Sequence, residues 1–392
     1  MPDAIAAHRL AGIGTSIFSE ITALAIRHEA INLGQGFPDF PAPEFVKEAA
    51  ARHIRDDRNQ YAASAGVPRL RRALADDWRR TCPDARPVDP ELEITVGGGA
   101  TELLHDAMLA FVNPGDEVIA FEPAYDAYGP DVAMAGGVLR SVPLSPPGRW
   151  SFDPERLAAA FGPRTRALLL NTPHNPTGKV FRRDELAVIA ELALRHDVLV
   201  VADEVYAELV FDDAAHVPIA SLPGMFERTI SIGSMGKTFG VTGWKVGWAV
   251  APPPLTAALR AVHQFVTFTG GTPFQEALAD VLPEAAASGY YDRLRSDYRH
   301  RRELLAGALR GAGLSPLPIG GAYFLLTGLP PGAGSDDVAF CRRLITEVGV
   351  AAIPTSVFYG EPAKAPPLAR FCFAKRDEVI LAASERLRGA GF

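Results

Sequence analysis

The stretch SIGSMGKTFG, residues 231–240, ends a β-branched run on a lysine, Lys237, set between glycine and threonine. Two chemistries use such a lysine. In a nucleotide-binding phosphate loop it is a fixed cation, and VLVVADE at 198–204 would supply the accompanying acidic strand. In covalent catalysis it is an amine nucleophile that condenses with a carbonyl. The phosphate loop needs a glycine five positions before the glycine of Gly-Lys-Thr, where this chain has Ser231, and a helix running on from the lysine. The segment after the lysine, TFGVTGWKVGWAV, carries Gly240, Gly243 and Gly247 and ends like a strand, a poor start for a helix. The nucleophile is therefore the main reading, with a phosphate loop as a remote alternative.

A lysine that holds a phosphorylated pyridine aldehyde, pyridoxal phosphate, needs several companions: an acid for the ring nitrogen, donors for the phenolic oxygen, a phosphate cup, a stacking face and an anchor for the substrate carboxylate. Asp203 in VVADEVY ends an apolar strand, where burying a carboxylate is costly unless a cation such as a pyridinium pairs with it. Tyr206, three residues on, and Asn175 in NTPHNPTGKV are candidate donors to the phenolic oxygen. The glycine run GGGATE at 97–102 could turn the N–H groups of Gly99, Ala100 and Thr101 toward an anion, with Ser234 and Lys245 adding to the cup. Each has a plainer use when taken alone: Asp203 bonded to a loop, Tyr206 as a core tyrosine, Asn-Pro-Thr-Gly as an ordinary turn.

These residues fall where strands should end. From about residue 45 to 250 helical patterns alternate with short β-branched runs, ELEITVG, DEVIAFEP, RALLLNTP, VLVVADE and TISIGS, several apolar throughout as if covered on both faces. Such alternation builds a mostly parallel sheet whose loops carry the chemistry. Asp184 and Glu185 mark a helix start, and Asn113-Pro114-Gly115-Asp116 a stop before the next strand. After about residue 285 a long charged helix leads into GGAYFLLTGLP, VGVAAIPTSVF and LARFCFAK, an α+β texture. The expected division is an N-terminal segment at 1–45, a large α/β domain at 46–285 and a small α+β domain at 286–392.

Composition removes other classes. A net charge of −7 offers no basic surface for nucleic acid or anionic lipid. No apolar run reaches the roughly 20 residues that span a bilayer, and the N-terminus lacks the order of a signal peptide, so the cytoplasm is the expected location. Cys82, Cys341 and Cys372 stand apart from one another and from histidine, which argues for reduced thiols and against a metal site.

Six motifs in order, INLGQGFPDFPAPE, NTPHNPTGKV, DEVY, SMGKTFGVTGWKVGW, HQFVTF and RFCFAK, give the chain a resemblance that spans almost its whole length. It resembles the class I aminotransferases of the pyridoxal-phosphate type I fold, in the branch of kynurenine (glutamine transaminase K) and methionine aminotransferases. The resemblance implies that Lys237 binds the cofactor covalently and that Asp203 holds its ring nitrogen. It also implies that Asn175 and Tyr206 contact the phenolic oxygen and that Tyr125, in EPAYDAY, stacks on the ring. Ser234, Lys245 and the backbone of Gly99 to Thr101 would bind phosphate, Lys245 standing where many relatives have arginine. Tyr61 would reach the phosphate of a second subunit's cofactor, which implies a homodimer with shared sites.

By the same resemblance Arg370 anchors the substrate carboxylate, helped by the backbone at Gly36, and an arginine fork suits a planar carboxylate. The side-chain pocket would be lined by Phe18, Tyr125, Phe268, Thr269 and Tyr323, a neutral aromatic wall without a second arginine. The implied reaction is ping-pong transfer of the amino group of a neutral L-amino acid to a 2-oxo acid, with β-elimination from cysteine conjugates as the alternative. Three positions depart from the kynurenine enzymes: Phe18 in place of tryptophan, Gly99 in place of an aromatic, and Thr269 in place of histidine. They widen the pocket.

Overall fold

The computed structural model describes residues 7–390, apart from 12, 15 and 147–149. Its strands are β1 (Ile31–Asn32), β2 (Ile94–Gly97), β3 (Glu117–Glu122), β4 (Val138–Pro143), β5 (Thr165–Asn171), β6 (Leu199–Asp203), β7 (Thr229–Ser234), β8 (Gly247–Val250), β9 (Phe324–Gly328), β10 (Val350–Ala351), β11 (Ile353–Pro354) and β12 (Leu368–Cys372).

Seven strands form one sheet in the order β2-β8-β7-β6-β5-β3-β4. Only β8 runs against its neighbours; the pairs β7/β6, β6/β5, β5/β3 and β3/β4 are parallel. Both faces are covered, and the pleat of β5 records it. Leu168 and Leu170 join Leu186 and Ile189 of the helix Arg183–Arg195, whereas Ala167 and Leu169 join Leu103 and Ala107 of the helix Ala100–Phe111. This is why these strands read as unbroken apolar runs. Asn171, Asp203 and Ser234 end three of the parallel strands, so their side chains meet at one edge of the sheet.

The expected punctuation is in place. Glu185 accepts from the backbone of Arg182 at 2.9 Å at the start of its helix. Asp116 accepts from Asn113 N at 2.8 Å in the turn that enters β3. One local expectation needs correcting: Lys237 does sit in a helix, the single turn Met235–Thr238, capped by Ser234 Oγ from Gly236 N at 3.2 Å. Gly240 ends it with φ of 67°, a conformation open to glycine, so no long helix follows the lysine.

Past residue 287 the long helix Tyr290–Gly311 packs against the C-terminal helix Asp377–Gly389, beside the antiparallel sheet β11-β12-β9. In that sheet Arg370 pairs with Leu326 on one side and Ile353 on the other. Near the N-terminus β1 adds in parallel to β10, which carries the Gly34–Gly36 stretch across to the ends of β5 and β6. All three cysteines are buried and unpaired.

Candidate active site

A cavity opens where β5, β6 and β7 end, and its walls include Gly99, Ala100, Thr101, Tyr125, Asn175, Asp203, Tyr206, Ser234, Lys237 and Lys245. Ten residues expected from sequence to serve one cofactor thus converge from five stretches of chain.

Asp203 is 5% exposed: Tyr128 Oη donates to Oδ2 at 2.7 Å, Val205 N to Oδ1 at 3.3 Å, and Asn171 Nδ2 and Thr172 N to the backbone oxygen at 2.9 and 3.1 Å. Burial raises the affinity of this carboxyl for a proton, against which the Tyr128 and Val205 bonds act. A carboxylate so placed gains by pairing with a cation. Asn171 turns its other end to Asn175, accepting from the backbone N at 2.7 Å, so a strand-end amide sets the position of the 172–178 loop.

Lys237 Nζ donates to Gly36 O at 3.3 Å, and burial pulls its amine down to about 8, within reach of the neutral nucleophilic form. Tyr206 and Tyr323 flank it with ring centroids 5.7 and 5.6 Å from Nζ. Burial raises the Tyr206 hydroxyl far above its ordinary value, so it remains a donor. Tyr323 Oη donates to Gly36 O at 2.6 Å, which brings the N-terminal stretch onto the lysine. Tyr125 crosses Tyr128 edge-on at 5.6 Å.

Arg370 is fully buried and donates to Asn175 Oδ1 at 2.8 Å and Gly34 O at 2.9 Å, while Nε has no partner. Its guanidinium lies 4.1 Å from the centre of the Phe324 ring, with Phe18 and Phe358 at 5.1 and 5.2 Å. A buried cation bonded only to neutral oxygens is costly, and a planar carboxylate would relieve it. With its oxygen taken by Arg370, Asn175 offers a ligand its donor end.

The cup follows from backbone geometry. Gly99 has φ of 93° and precedes the helix Ala100–Phe111, whose first N–H groups lack intrahelical acceptors. A Cβ on Gly99 would stand 3.3 Å from Lys245 Nζ, and one on Gly247 would meet Ala100 N at 2.6 Å. Lys245 itself is held in the left-handed region, φ 53°. N–H groups, an ammonium and the Ser234 hydroxyl surrounding glycine-cleared space suit a phosphate, and a buried acid at the far end suits a pyridinium. The donor set therefore fits pyridoxal phosphate.

Two residues expected to line the pocket, Phe268 and Thr269, lie outside this cavity, beside Tyr61, the residue expected to serve a second subunit. Tyr61 is 84% exposed and packs edge-on against the half-exposed Phe268 at 5.5 Å. With Thr269 they form an arm outside the walls of their own chain's cavity, because the helix Pro253–Val266 ends there and Phe268, with φ of 70°, turns the chain outward. Conversely, sequence reasoning missed Tyr128 and Asn171. Tyr128 stands three residues after Tyr125 in EPAYDAY, and Asn171 ends an apolar strand just as Asp203 does, which was the available signal.

Comparison with known proteins agrees with the geometry. The family model for aminotransferases of class I and II matches residues 28–387. The methionine aminotransferase of Escherichia coli is 43% identical over 380 residues, covering 97% of each chain. A probable N-succinyldiaminopimelate aminotransferase of Mycobacterium tuberculosis is 45% identical over 389 residues, again covering 97% of each. A solved E. coli structure described by a methionine aminotransferase function superposes with a TM-score of 0.93 at 43% identity, covering 98% of this chain and 99% of that one. The chain belongs to the class I and II aminotransferases, pyridoxal-phosphate-dependent enzymes of the type I fold.

Proposed function

We propose that this aminotransferase takes the amino group from a neutral L-amino acid with a large side chain, such as methionine, glutamine or an aromatic residue, and passes it to a 2-oxo acid in a ping-pong cycle. When bound, pyridoxal phosphate supplies an aldehyde that accepts the amino group and a ring that takes up electrons as the Cα–H bond breaks. Asp203 would hold the ring nitrogen cationic, and Asn175 and Tyr206 would donate to the phenolic oxygen. Ser234, Lys245 and the N–H groups of Gly99, Ala100 and Thr101 would hold the phosphate, and Tyr125 would face the ring. Arg370 and the Gly36 backbone seat the α-carboxylate, which aims the Cα–H bond. Lys237 Nζ, with its amine near 8, is the base that removes the Cα proton.

The observation that carries the substrate class is the charge inventory of the pocket. The cations among its described walls are Lys237 and Lys245, both taken by the cofactor, and Arg370 beyond them serves the α-carboxylate. Phe18, Phe324 and Phe358 close around Arg370, leaving a neutral wall for the side chain. A second carboxylate would be buried there without a partner, at a cost of several kcal/mol. The exposed Tyr61–Phe268 arm supports a homodimer in which each subunit lends aromatics to the other's site. No helix among the described residues is long and apolar enough to cross a membrane, in keeping with a cytoplasmic enzyme.

The test is a panel of amino donors against two or three oxo acids on the wild-type protein, with N-succinyldiaminopimelate and a cysteine conjugate included. Methionine, glutamine or an aromatic donor should lead. A dicarboxylic donor ahead by a wide margin would overturn the neutral-substrate reading. Pyruvate and ammonia from the conjugate without amino transfer would make the enzyme a lyase.

A further inference from the structure

One buried cluster takes no part in the chemistry above. Glu102 and Asp106, a turn apart on the helix Ala100–Phe111, face His263 near the end of the helix Pro253–Val266. His263 Nδ1 lies 2.5 Å from Glu102 Oε1 and 3.5 Å from Asp106 Oδ2, and Nε2 lies 2.9 Å from Ser64 O. Three such residues have the composition of a metal site, but a 2.5 Å separation between nitrogen and oxygen leaves no room for an ion between them. A hydrogen bond fits instead. Ser64 O can only accept, so Nε2 bears a hydrogen, and Nδ1 between two carboxylates bears the other. Burial works against this imidazolium, yet the two carboxylates prevail and raise it to about 10.

Burying three ionisable groups with His263 and Asp106 wholly enclosed gains little stability over an apolar filling of the same shape. What the cluster does provide is fixed direction, along three lines. Glu102 Oε2 accepts from Gly98 N, directly before the cup. Ser64 lies three residues after Tyr61, in the loop that presents that ring. The backbone oxygen of His263 accepts from Thr267 N at 3.1 Å and Phe268 N at 3.0 Å, which shapes the turn bearing Phe268.

We propose that the Glu102–His263–Asp106 triad is a positioning hub: through Gly98 it fixes the phosphate cup of its own site, and through Ser64 and the 267–269 turn it fixes the Tyr61–Phe268 arm offered to a second copy of the chain. The cup and the shared dimer are those of the proposed function, on which this inference rests. One imidazolium thus ties the part of the chain that serves its own cofactor to the part that serves its neighbour's.

The two arms can be cut separately, because glutamine can place a donor where Nε2 stood and asparagine one where Nδ1 stood. His263→Gln keeps the Ser64 link and loses Glu102, whereas His263→Asn keeps Glu102 and loses Ser64. Each is combined with Asp106→Asn so that the cluster's net charge is that of the wild type. Measured on the full chain are the affinity of apo protein for pyridoxal phosphate by absorbance titration, self-association by sedimentation, and apo melting temperature. The glutamine variant should lose about tenfold in cofactor affinity and keep its self-association; the asparagine variant should lose about tenfold in self-association and, through the misplaced Tyr61, lose less cofactor affinity than the glutamine variant. Lower melting temperatures with both affinities within about twofold of wild type would reduce the triad to a structural ion cluster, and equal losses in both variants would refute the two-arm assignment. Should neither histidine variant fold, the isosteric Glu102→Gln must weaken cofactor binding, and unchanged binding overturns the proposal. A wild type that sediments as a monomer would remove the dimer reading and the Ser64 arm with it, while the cofactor titration still judges the Gly98 arm.

Discussion

Tyr128 donates its hydroxyl to Asp203 Oδ2 at 2.7 Å inside the protein, from the same turn that places Tyr125 on the cavity wall. One loop therefore supplies both a ring face and a hydrogen bond that favours the ionised form of Asp203 against the effect of its burial. Tyr128→Phe removes that bond and leaves the aromatic packing. The apo protein should bind pyridoxal phosphate roughly tenfold more weakly, the usual worth of a hydrogen bond to a buried charge, with little change in melting temperature. Unchanged affinity in an absorbance titration would show that Val205 N alone suffices.

Lys237→Ala should abolish turnover while still admitting the cofactor noncovalently. In the wild type, borohydride reduction followed by peptide mapping should place the label within residues 231–240. A label on Lys245 would reverse the two lysines' roles. Because burial brings the Lys237 amine to about 8, the rate of covalent capture should climb about tenfold per pH unit below 8 and flatten above it.

Arg370→Ala should lower kcat/KM for every amino donor by roughly a hundredfold or more, since all share the α-carboxylate, and it leaves Asn175 Oδ1 without its donor. Phe18→Ala should instead reorder donors among themselves, as its ring lies against the anchor and not on it. Steady-state kinetics over the donor panel separates the two patterns. A uniform loss in both variants would mean that Phe18 merely supports Arg370.

Glu204, next to Asp203 but on the opposite face, has no partner for Oε1, with His216 Nε2 3.7 Å away. Burial raises its carboxyl from 4.5 to about 8. The folded protein thus binds this proton more tightly than the unfolded chain. The destabilising cost is absent below about pH 4.5, grows from 4.5 to 8 and is constant above. Glu204→Gln should therefore raise stability by a few kcal/mol at pH 8 to 9 and by nearly nothing at pH 4.5, as measured by urea unfolding across that range.

Much of this enzyme was legible in its sequence because its chemistry sits in short contiguous motifs. An apolar strand ending in Asp203, a proline-fixed loop at Asn175 and a glycine run at 97–99 each state a local geometry, and βα alternation dictates that strand ends share one edge. Local rules also fixed the cap at Glu185 and the turn at Asn113. What they could not supply is pairing across long separations. Arg370 meets Asn175 and Gly34 only because β12 and the N-terminal stretch close over the sheet, contacts that span 195 and 336 residues. Tyr128 and Asn171 look like ordinary core residues until the fold points them at Asp203. Phe268 likewise reads as pocket wall by motif, and only the outward turn after the helix Pro253–Val266 sets it beside Tyr61, outside its own chain's cavity. Motifs determine which groups are available; the packing of distant segments decides which of them meet, because side-chain direction is a property of the assembled backbone and not of spacing along it.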